Sequence, residues 1–167
     1  MAERRIIAVT GAEGFVGKNL LLRLAELERF EVQPLVRASN GNDWDAAATK
    51  ADAVIHLAGV NRPVDASGFA GNSDAADRLI STLQASGPRV PVLYASSIKA
   101  TEDSDYGRSK KDAEDRLLAY AGRTGNPVAI YRLPNIFGKW CRPNYNSAIA
   151  TFCHNIARDL PIRVAEP

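Results

Sequence analysis

Regular structure begins with RIIAVTGAEGFVG, residues 5–17. Its apolar, β-branched start predicts a buried strand over Arg5–Thr10. The glycines that follow lead into a predicted helix over residues 15–29, whose apolar residues recur with helical spacing. A glycine turn between a first strand and an amphipathic helix is typical of dinucleotide-binding sheets, where backbone N–H groups and the helix N-terminus approach a pyrophosphate. The candidate cofactor-binding residues are Gly11, Gly14, Phe15, Val16 and Gly17.

The spacing of these glycines departs from the usual G-x-G-x-x-G fingerprint. A tight strand-to-helix turn without a ligand is therefore the structural alternative. The position of the turn, after the first strand and before an amphipathic helix, favours a dinucleotide site.

The rest of the chain alternates short apolar runs with longer helical patterns, which predicts an α/β fold with a Rossmann-like, doubly wound parallel sheet. Further strands are predicted at 31–37, 53–57, 90–95 and 128–133, with a strand start at 162–164. Helices are predicted at 43–50, from caps at Asn72 and Ser73 to Gly87-Pro88, at 106–121 and at 147–158. Pro34 suggests an edge position for the second strand. The sheet is abbreviated after that strand, because the following gap has room for one short helix and no additional strand.

Composition excludes several classes of protein. A chain of 167 residues, 46% hydrophobic and 24% charged, fits one globular domain. The net charge of +2 gives no case for binding nucleic acid or an anionic membrane, and no apolar run reaches the length of a membrane span. Two cysteines, Cys141 and Cys153, indicate a reduced, cytoplasmic protein. They have no metal-ligand spacing with His154, because Cys153 is directly adjacent to it.

Arg37 follows the second predicted strand. An acidic residue here binds the ribose 2′-hydroxyl of NAD, whereas an arginine accommodates the 2′-phosphate of NADP. The sequence therefore predicts NADP(H) as cofactor. The structural alternative is a solvated arginine at the end of a strand.

The third predicted strand ends in HLAGVNRP, residues 56–63. Small residues after Leu57, namely Ala58 and Gly59, let a cofactor pass close to the backbone. His56 is interpreted as a core residue. Asn61 and Arg62 point to the crevice outside the strand ends, where they contact substrate or only shape the loop.

Ser96 and Ser97 follow the VPVLYA strand, and Tyr106 and Lys110 open the next helix on one face. A lysine beside a phenol lowers the pKa of that phenol, which makes the tyrosine usable as an acid or base. The serine hydroxyl can hydrogen-bond a substrate carbonyl. This combination predicts a catalytic site.

The motifs TGAEGFVG, HLAG, ASS, YGRSK and RLPNIFG occur in the order found in extended short-chain dehydrogenases/reductases, the epimerase/dehydratase family. The chain resembles that family over its whole length. The resemblance implies that Ser97, Tyr106 and Lys110 are catalytic. It also implies that Leu133, Pro134 and Asn135 lie beside the nicotinamide and the substrate.

HLAGVNRP and the stretch from RLPNIFGKW to RDLPI are more specific. They resemble the reductase domain of bifunctional capsule-sugar enzymes that make UDP-2-acetamido-2,6-dideoxy-L-talose. The resemblance implies NADPH-dependent reduction of a 4-keto UDP-sugar, and it suggests a homodimer. Further substrate candidates are Arg142, Asn144 and His154, each with a structural alternative as a solvated or packed side chain.

Two departures from the family affect this interpretation. Ser97 and Tyr106 lie close together in sequence for the wider family, and residues 136–167 are expected to be only the start of a substrate lobe, without the C-terminal cupin domain of this branch. One NADP-binding domain is therefore expected over residues 1–167. A sugar 4,6-dehydratase is disfavoured because Ile98 and Lys99 replace its acidic pair. A 4-epimerase, or a fragment that binds a dinucleotide without catalysis, remains an alternative.

Overall fold

The computed structural model describes residues 4–87 and 89–164. It divides into two compact units, residues 1–134 and residues 135–167, and the second begins one position before the expected start of the substrate lobe. The first unit contains the sheet, and the second contains one helix with the loops around it.

Five parallel strands form the sheet in the order β2-β1-β3-β4-β5. They are β1 (Arg5–Thr10), β2 (Phe30–Leu35), β3 (Ala53–His56), β4 (Val92–Ser97) and β5 (Val128–Leu133). The helices of this unit are α1 (Phe15–Glu26), α2 (Gly41–Lys50), α3 (Gly71–Ser86) and α4 (Asp105–Thr124), with 3₁₀ turns at Ala66–Ala70 and Ile98–Thr101. The α/β class, the Rossmann-like sheet and its abbreviation after β2 are confirmed, because α2 alone connects β2 to β3.

Alternating side chains of the interior strand β1 contribute to two hydrophobic layers. Ile7 and Val9 pack with Leu24 of α1 on one face. Ala8 belongs to the other layer, which includes residues of α2, α3 and α4. Helices on both faces explain why β1 is apolar without a break from Ile6 to Val9. Pro34 lies on β2, which is the edge strand, as its missing N–H group predicts.

Several predicted boundaries were wrong. Ser96 and Ser97 belong to β4 rather than following it. The helix predicted to stop at Gly122 continues to Thr124, because the left-handed backbone of Gly125 (φ +69°) ends it. β2 ends at Leu35, so that Arg37 lies in the turn beyond the strand.

Asn72 and Ser73 do not cap α3 as predicted. The helix begins at Gly71, directly after a 3₁₀ turn, and both residues are buried in its first turn. The Asn72 side chain instead bonds to a neighbouring loop and helix. Pro88, expected to help stop this helix, lies outside the described residues.

The second unit contains α5 (Ala148–Ile156), slightly shorter than predicted. Ser147 caps the helix by accepting a hydrogen bond from the Ala150 N–H at 3.2 Å. The predicted strand start at 162–164 was wrong. After α5 the chain turns back, as Asn155 accepts from the Leu160 N–H and donates from its side chain to Pro161.

Within residues 4–87 and 89–164, no helix is long and apolar enough to cross a membrane. In the same residues, no group of three or more histidine, cysteine or acidic side chains is placed to hold a metal ion.

The carboxyl ends of β1 and β3 are joined by a buried polar contact. Thr10 Oγ1 and His56 Nδ1 share a hydrogen bond of 2.7 Å, and Thr10 Oγ1 also accepts from the Ala58 N–H at 3.1 Å. Both side chains are fully buried. The interpretation of His56 as a core residue agrees with this position. The contact also holds together the carboxyl ends of β1 and β3, beside which the candidate cofactor-binding residues lie.

Acidification is expected to destabilise the fold through His56. Burial, with a smaller contribution from the Lys110 ammonium group, lowers the pKa of His56 to about 3. In the unfolded chain the ring takes up its proton near pH 6.5. Between these values a falling pH therefore favours the unfolded state, by roughly 1 kcal/mol per pH unit.

Urea unfolding from about pH 7 down to about pH 4.5 measures this slope, which should become shallower in His56→Gln. The control is His154→Gln, in the second unit, which should keep the wild-type slope. Equal slopes for His56→Gln and the wild type would show that another group is responsible.

Candidate active site

The glycine turn after β1 packs directly against the end of β3. Gly11 has a left-handed backbone (φ +67°), and a Cβ atom there would lie 2.8 Å from the backbone nitrogen of Ala58. A Cβ atom on Gly17 would overlap the carbonyl oxygen of Gly11. These glycines are therefore required by the packing of the turn, whether or not a ligand lies over it.

The N-terminus of α1 has no side-chain cap and no acidic residue in its first turn. In contrast, Asn40, Ser104 and Ser147 cap α2, α4 and α5. The first N–H groups of a helix have no partner within the helix, and the helix dipole favours an anion beside them. The uncapped end and the close glycine backbone fit the pyrophosphate of a dinucleotide.

Arg37 lies exposed in the turn after β2. The turn is closed by hydrogen bonds between Val36 and Ser39, and the capping box of Asn40 with Asp43 follows it. Residues 36–40 (VRASN) contain no acidic side chain, so none is placed there to accept a ribose hydroxyl. The charge in this turn suits a 2′-phosphate.

Asn72 is a site residue that sequence reasoning missed. Its side chain accepts from the Val60 N–H at 3.0 Å, donates to the Val60 carbonyl at 2.9 Å, and donates to Ser109 Oγ at 3.0 Å. A Cβ atom on Gly59 would lie 2.6 Å from Asn72 Oδ1, so this glycine makes room for the amide. Asn72 thus ties the loop after β3 to the helix that carries Tyr106 and Lys110.

Ser97 and Tyr106 come together although they lie on different elements. Ser97 ends β4, and Tyr106 lies in the first turn of α4, close enough for the Ser97 side chain to lower the pKa of the Tyr106 phenol. The Tyr106 ring lies 5.9 Å from the ring of Phe69, centroid to centroid. Gly107 lets α4 begin close to the preceding loop, because a Cβ atom there would overlap the carbonyl oxygens of Lys99 and Glu102.

Lys110 is buried one turn further along α4. Its ammonium group donates to the Ala95 carbonyl at 2.8 Å and lies 4.3 Å from the centre of the Tyr94 ring. Gly59, in the loop after β3, lies close to the same ammonium group. Burial lowers the pKa of Lys110 to about 8, and the negative charge of Glu114 opposes this shift.

The expected influence of Lys110 on the pKa of Tyr106 is not what the geometry gives. Burial raises the pKa of Tyr106, and the hydrogen bond with Ser97 is what lowers it. The Lys110 ammonium group contacts the Ala95 carbonyl and the Tyr94 ring. Tyr106 is therefore a protonated phenol at neutral pH.

Glu114, Arg132 and Ser96 form a second group that sequence reasoning missed. Glu114 is 2% exposed, and its carboxylate accepts from Ser96 Oγ at 2.5 Å and from Arg132 Nε and an Arg132 terminal nitrogen at 3.0 and 2.7 Å. The signal that could have found it is a glutamate four positions after Lys110, flanked by the apolar face of Ala113 and Leu117.

The remaining predicted residues lie in different places. Leu133 is the register partner of Ser97 on β5, and Pro134 follows it. Ile98 and Lys99 begin a 3₁₀ turn, where Lys99 forms an ion pair with Glu102. Leu57, Asn61 and Arg62 lie after β3 in the first unit, while Asn135, Arg142, Asn144 and His154 belong to the second.

Two of the second-unit candidates have local roles. Asn144 has a left-handed backbone (φ 53°), and its N–H group donates to Thr151 Oγ1 at 2.9 Å. The guanidinium group of Arg142 lies 5.5 Å from the centre of the Tyr145 ring. A role for either residue in binding substrate stays a prediction.

Comparison with known proteins defines the class first. A model of the NAD dependent epimerase/dehydratase family matches residues 7–166. The chain belongs to this family.

Individual relatives are more specific. The chain is 49% identical over 159 residues to UDP-2-acetamido-2,6-beta-L-arabino-hexul-4-ose reductase of Pseudomonas aeruginosa, covering 95% of this chain and 43% of that protein. It also matches the crystal structure of the capsular polysaccharide assembling protein CapF of Staphylococcus aureus, with a TM-score of 0.83 and 42% identity. That match covers 96% of this chain and 43% of CapF. The chain thus spans less than half the length of both relatives.

The structure of RMD from Pseudomonas aeruginosa, complexed with NADPH, matches with a TM-score of 0.74 and 25% identity. The match covers 93% of this chain and 62% of RMD.

Two glycine-to-alanine substitutions in α4 are expected to have opposite effects on stability. Gly107→Ala should destabilise the fold by about 1–3 kcal/mol, since the new methyl group overlaps backbone that cannot move independently. Gly122→Ala should stabilise it by about 0.5–1 kcal/mol, because the position is helical and has open space around it. Thermal unfolding measures both, and a neutral Gly107→Ala would contradict the tight start of α4.

Proposed function

We propose that this chain is the reductase part of an enzyme that reduces C4 of a UDP-linked 2-acetamido-2,6-dideoxy-4-keto-hexose with NADPH, in the synthesis of a capsule or O-antigen sugar. The observation that carries the proposal is the meeting of Ser97 and Tyr106 beside the buried Lys110, next to the glycine turn. The identity with a UDP-sugar 4-keto reductase supports the choice of substrate.

The chain would hold the dinucleotide along the carboxyl edge of the sheet. The turn at Gly11–Gly17 and the uncapped N-terminus of α1 would bind the pyrophosphate, and Arg37 the 2′-phosphate. Leu57, Ala58, Leu133 and Pro134 would line the path towards the nicotinamide. When bound, this cofactor supplies the hydride.

Tyr106 would donate the proton that the O4 oxygen of the sugar takes up. Its protonated phenol is the form that this step needs. Ser97 would hydrogen-bond the C4 carbonyl oxygen and orient it towards Tyr106. Lys110 would bind the nicotinamide ribose and supply positive charge near the site. Asn61 and Arg62 of the first unit would contact the UDP-sugar. A role in binding the UDP-sugar stays a prediction for the second-unit candidates Asn135, Arg142, Asn144 and His154.

The alternatives differ in what they require of the site. A 4,6-dehydratase requires an acidic pair after Ser97, where this chain has Ile98 and Lys99. A 4-epimerase retains its cofactor, whereas a net reductase exchanges it. A fragment without catalysis would bind the dinucleotide and reduce nothing. A homodimer remains a prediction.

Arg37→Asp is expected to weaken NADPH binding about 10–100-fold, and NADH binding far less, because the arginine would pair with the 2′-phosphate that NADH lacks. Fluorescence titration of the purified chain with each cofactor measures this. Arg29→Asp makes the same charge change at the opposite end of β2 and serves as the control. Equal wild-type affinities for NADPH and NADH would contradict NADP specificity. They would agree instead with the description of the family as NAD dependent.

Tyr106→Phe is expected to lower kcat for the 4-keto sugar about 10²–10⁴-fold while leaving NADPH affinity nearly unchanged, because only proton donation is removed. NADPH oxidation, followed in the intact protein that carries this chain, measures kcat. Tyr131→Phe, at an exposed tyrosine on β5, is the control. Full activity of Tyr106→Phe would exclude Tyr106 as the acid. Binding of NADPH by the wild type without any turnover would favour the non-catalytic alternative.

A further inference from the structure

We propose that the Glu114–Arg132 ion pair is a positioning device for Lys110, which fixes where the ammonium group lies and how readily it releases its proton. The inference deepens the proposed function, and it rests on that proposal only for the importance of Lys110. The contacts that carry it lie wholly within the first unit.

The first argument is the matched spacing of α4 and β4. Tyr94 and Ser96 lie on the same face of the strand, about 6.6 Å apart along it. Lys110 and Glu114 are one helical turn apart, a rise of about 6 Å. Lys110 lies over the Tyr94 ring while Glu114 accepts from Ser96 Oγ. The matched spacing lets the Lys110–Tyr94 and Glu114–Ser96 contacts form at the same time. The Glu114–Ser96 bond therefore sets the register in which Lys110 reaches the Ala95 carbonyl.

The second argument is that the carboxylate of Glu114 is buried and fully paired. Arg132 of β5 binds both of its oxygens, and the Arg132 side chain itself remains 39% exposed. Burial would raise the pKa of Glu114, but the hydrogen bonds from Arg132 and Ser96 hold it below its usual range. A permanent negative charge is thus kept one turn from Lys110.

The third argument is the absence of a competing charge among the buried groups beside Lys110. His56 on β3 is neutral, since burial lowers its pKa, and Tyr94 on β4 is neutral, since burial raises its pKa. Tyr106 is neutral for the same reason as Tyr94, and Asn72 of α3 carries no charge. Elsewhere on α3 and α4, exposed ion pairs join Arg116 with Asp77 and Asp112, and Lys111 with Asp115.

The effect on Lys110 follows from Coulomb's law. Removing the Glu114 charge takes away the anion that favours the ammonium form, and it leaves Arg132 as an unbalanced cation nearby. Removing Arg132 instead leaves an anion without its counter-ion. The two substitutions should therefore shift the titration of Lys110 in opposite directions, whereas mere loss of packing would not give opposite signs.

The test is an NMR titration of ¹³C-lysine-labelled protein without cofactor or substrate, in which Lys110→Arg assigns the signal. In Glu114→Gln the midpoint of Lys110 should fall by at least about half a pH unit, and in Arg132→Gln it should rise. Asp112→Asn is the matched control. It removes an exposed carboxylate from the same helix and should leave the midpoint nearly unchanged.

An unchanged or raised midpoint in Glu114→Gln would overturn the proposal, even if the variant unfolds at a lower temperature. If Glu114→Gln fails to fold, Arg132→Gln decides alone, and an unchanged or lowered midpoint there overturns the proposal. The titration involves no turnover. A failed reductase assay would therefore refute the proposed function and leave the titration result unchanged. A failed titration would refute the positioning role of the ion pair and leave the proposed function unchanged.

Discussion

The close contact between the glycine turn and the end of β3 is the constraint on which the site depends. Gly11 can lie against Ala58 only without a side chain, and Thr10 Oγ1 holds the Ala58 N–H from the same turn. This contact places the uncapped N-terminus of α1 beside the loop after β3. A wider turn would separate the predicted pyrophosphate site from the strand end along which the cofactor is proposed to run.

Two buried polar side chains then connect this edge to α4, which carries Tyr106 and Lys110. Asn72 joins the loop after β3 to α4 through Val60 and Ser109, and Glu114 joins α4 to β4 and β5. Each is fully hydrogen-bonded, and a half-satisfied network would cost more than an apolar core. The geometry of Tyr106 and Lys110 is thus determined by contacts between elements rather than by the helix alone.

The sequence predicted what depends on neighbours along the chain. β1 and β5 have the predicted bounds because their apolar runs end at a glycine turn and at Pro134, and the Tyr106–Lys110 spacing follows from helical geometry. Asn72 and Arg132 were missed because their partners are distant in sequence, 37 positions for Ser109 and 18 for Glu114. Asn72 was misassigned as a cap, since a polar residue near a helix start usually is one. The second unit was harder still, because backbone hydrogen bonds and the Asn155 side chain close the turn after α5, and no periodic pattern in the sequence indicates them.

The protonation state of Tyr106 connects this electrostatic arrangement to the direction of the proposed reaction. Burial raises the pKa of its phenol, so that the phenol keeps its proton at neutral pH. A site that begins by oxidising a hydroxyl group needs a base, and hence a phenolate, in its first step. A site that begins with a ketone needs an acid. The resting arrangement supplies an acid, which is the form of Tyr106 that the proposed reduction requires.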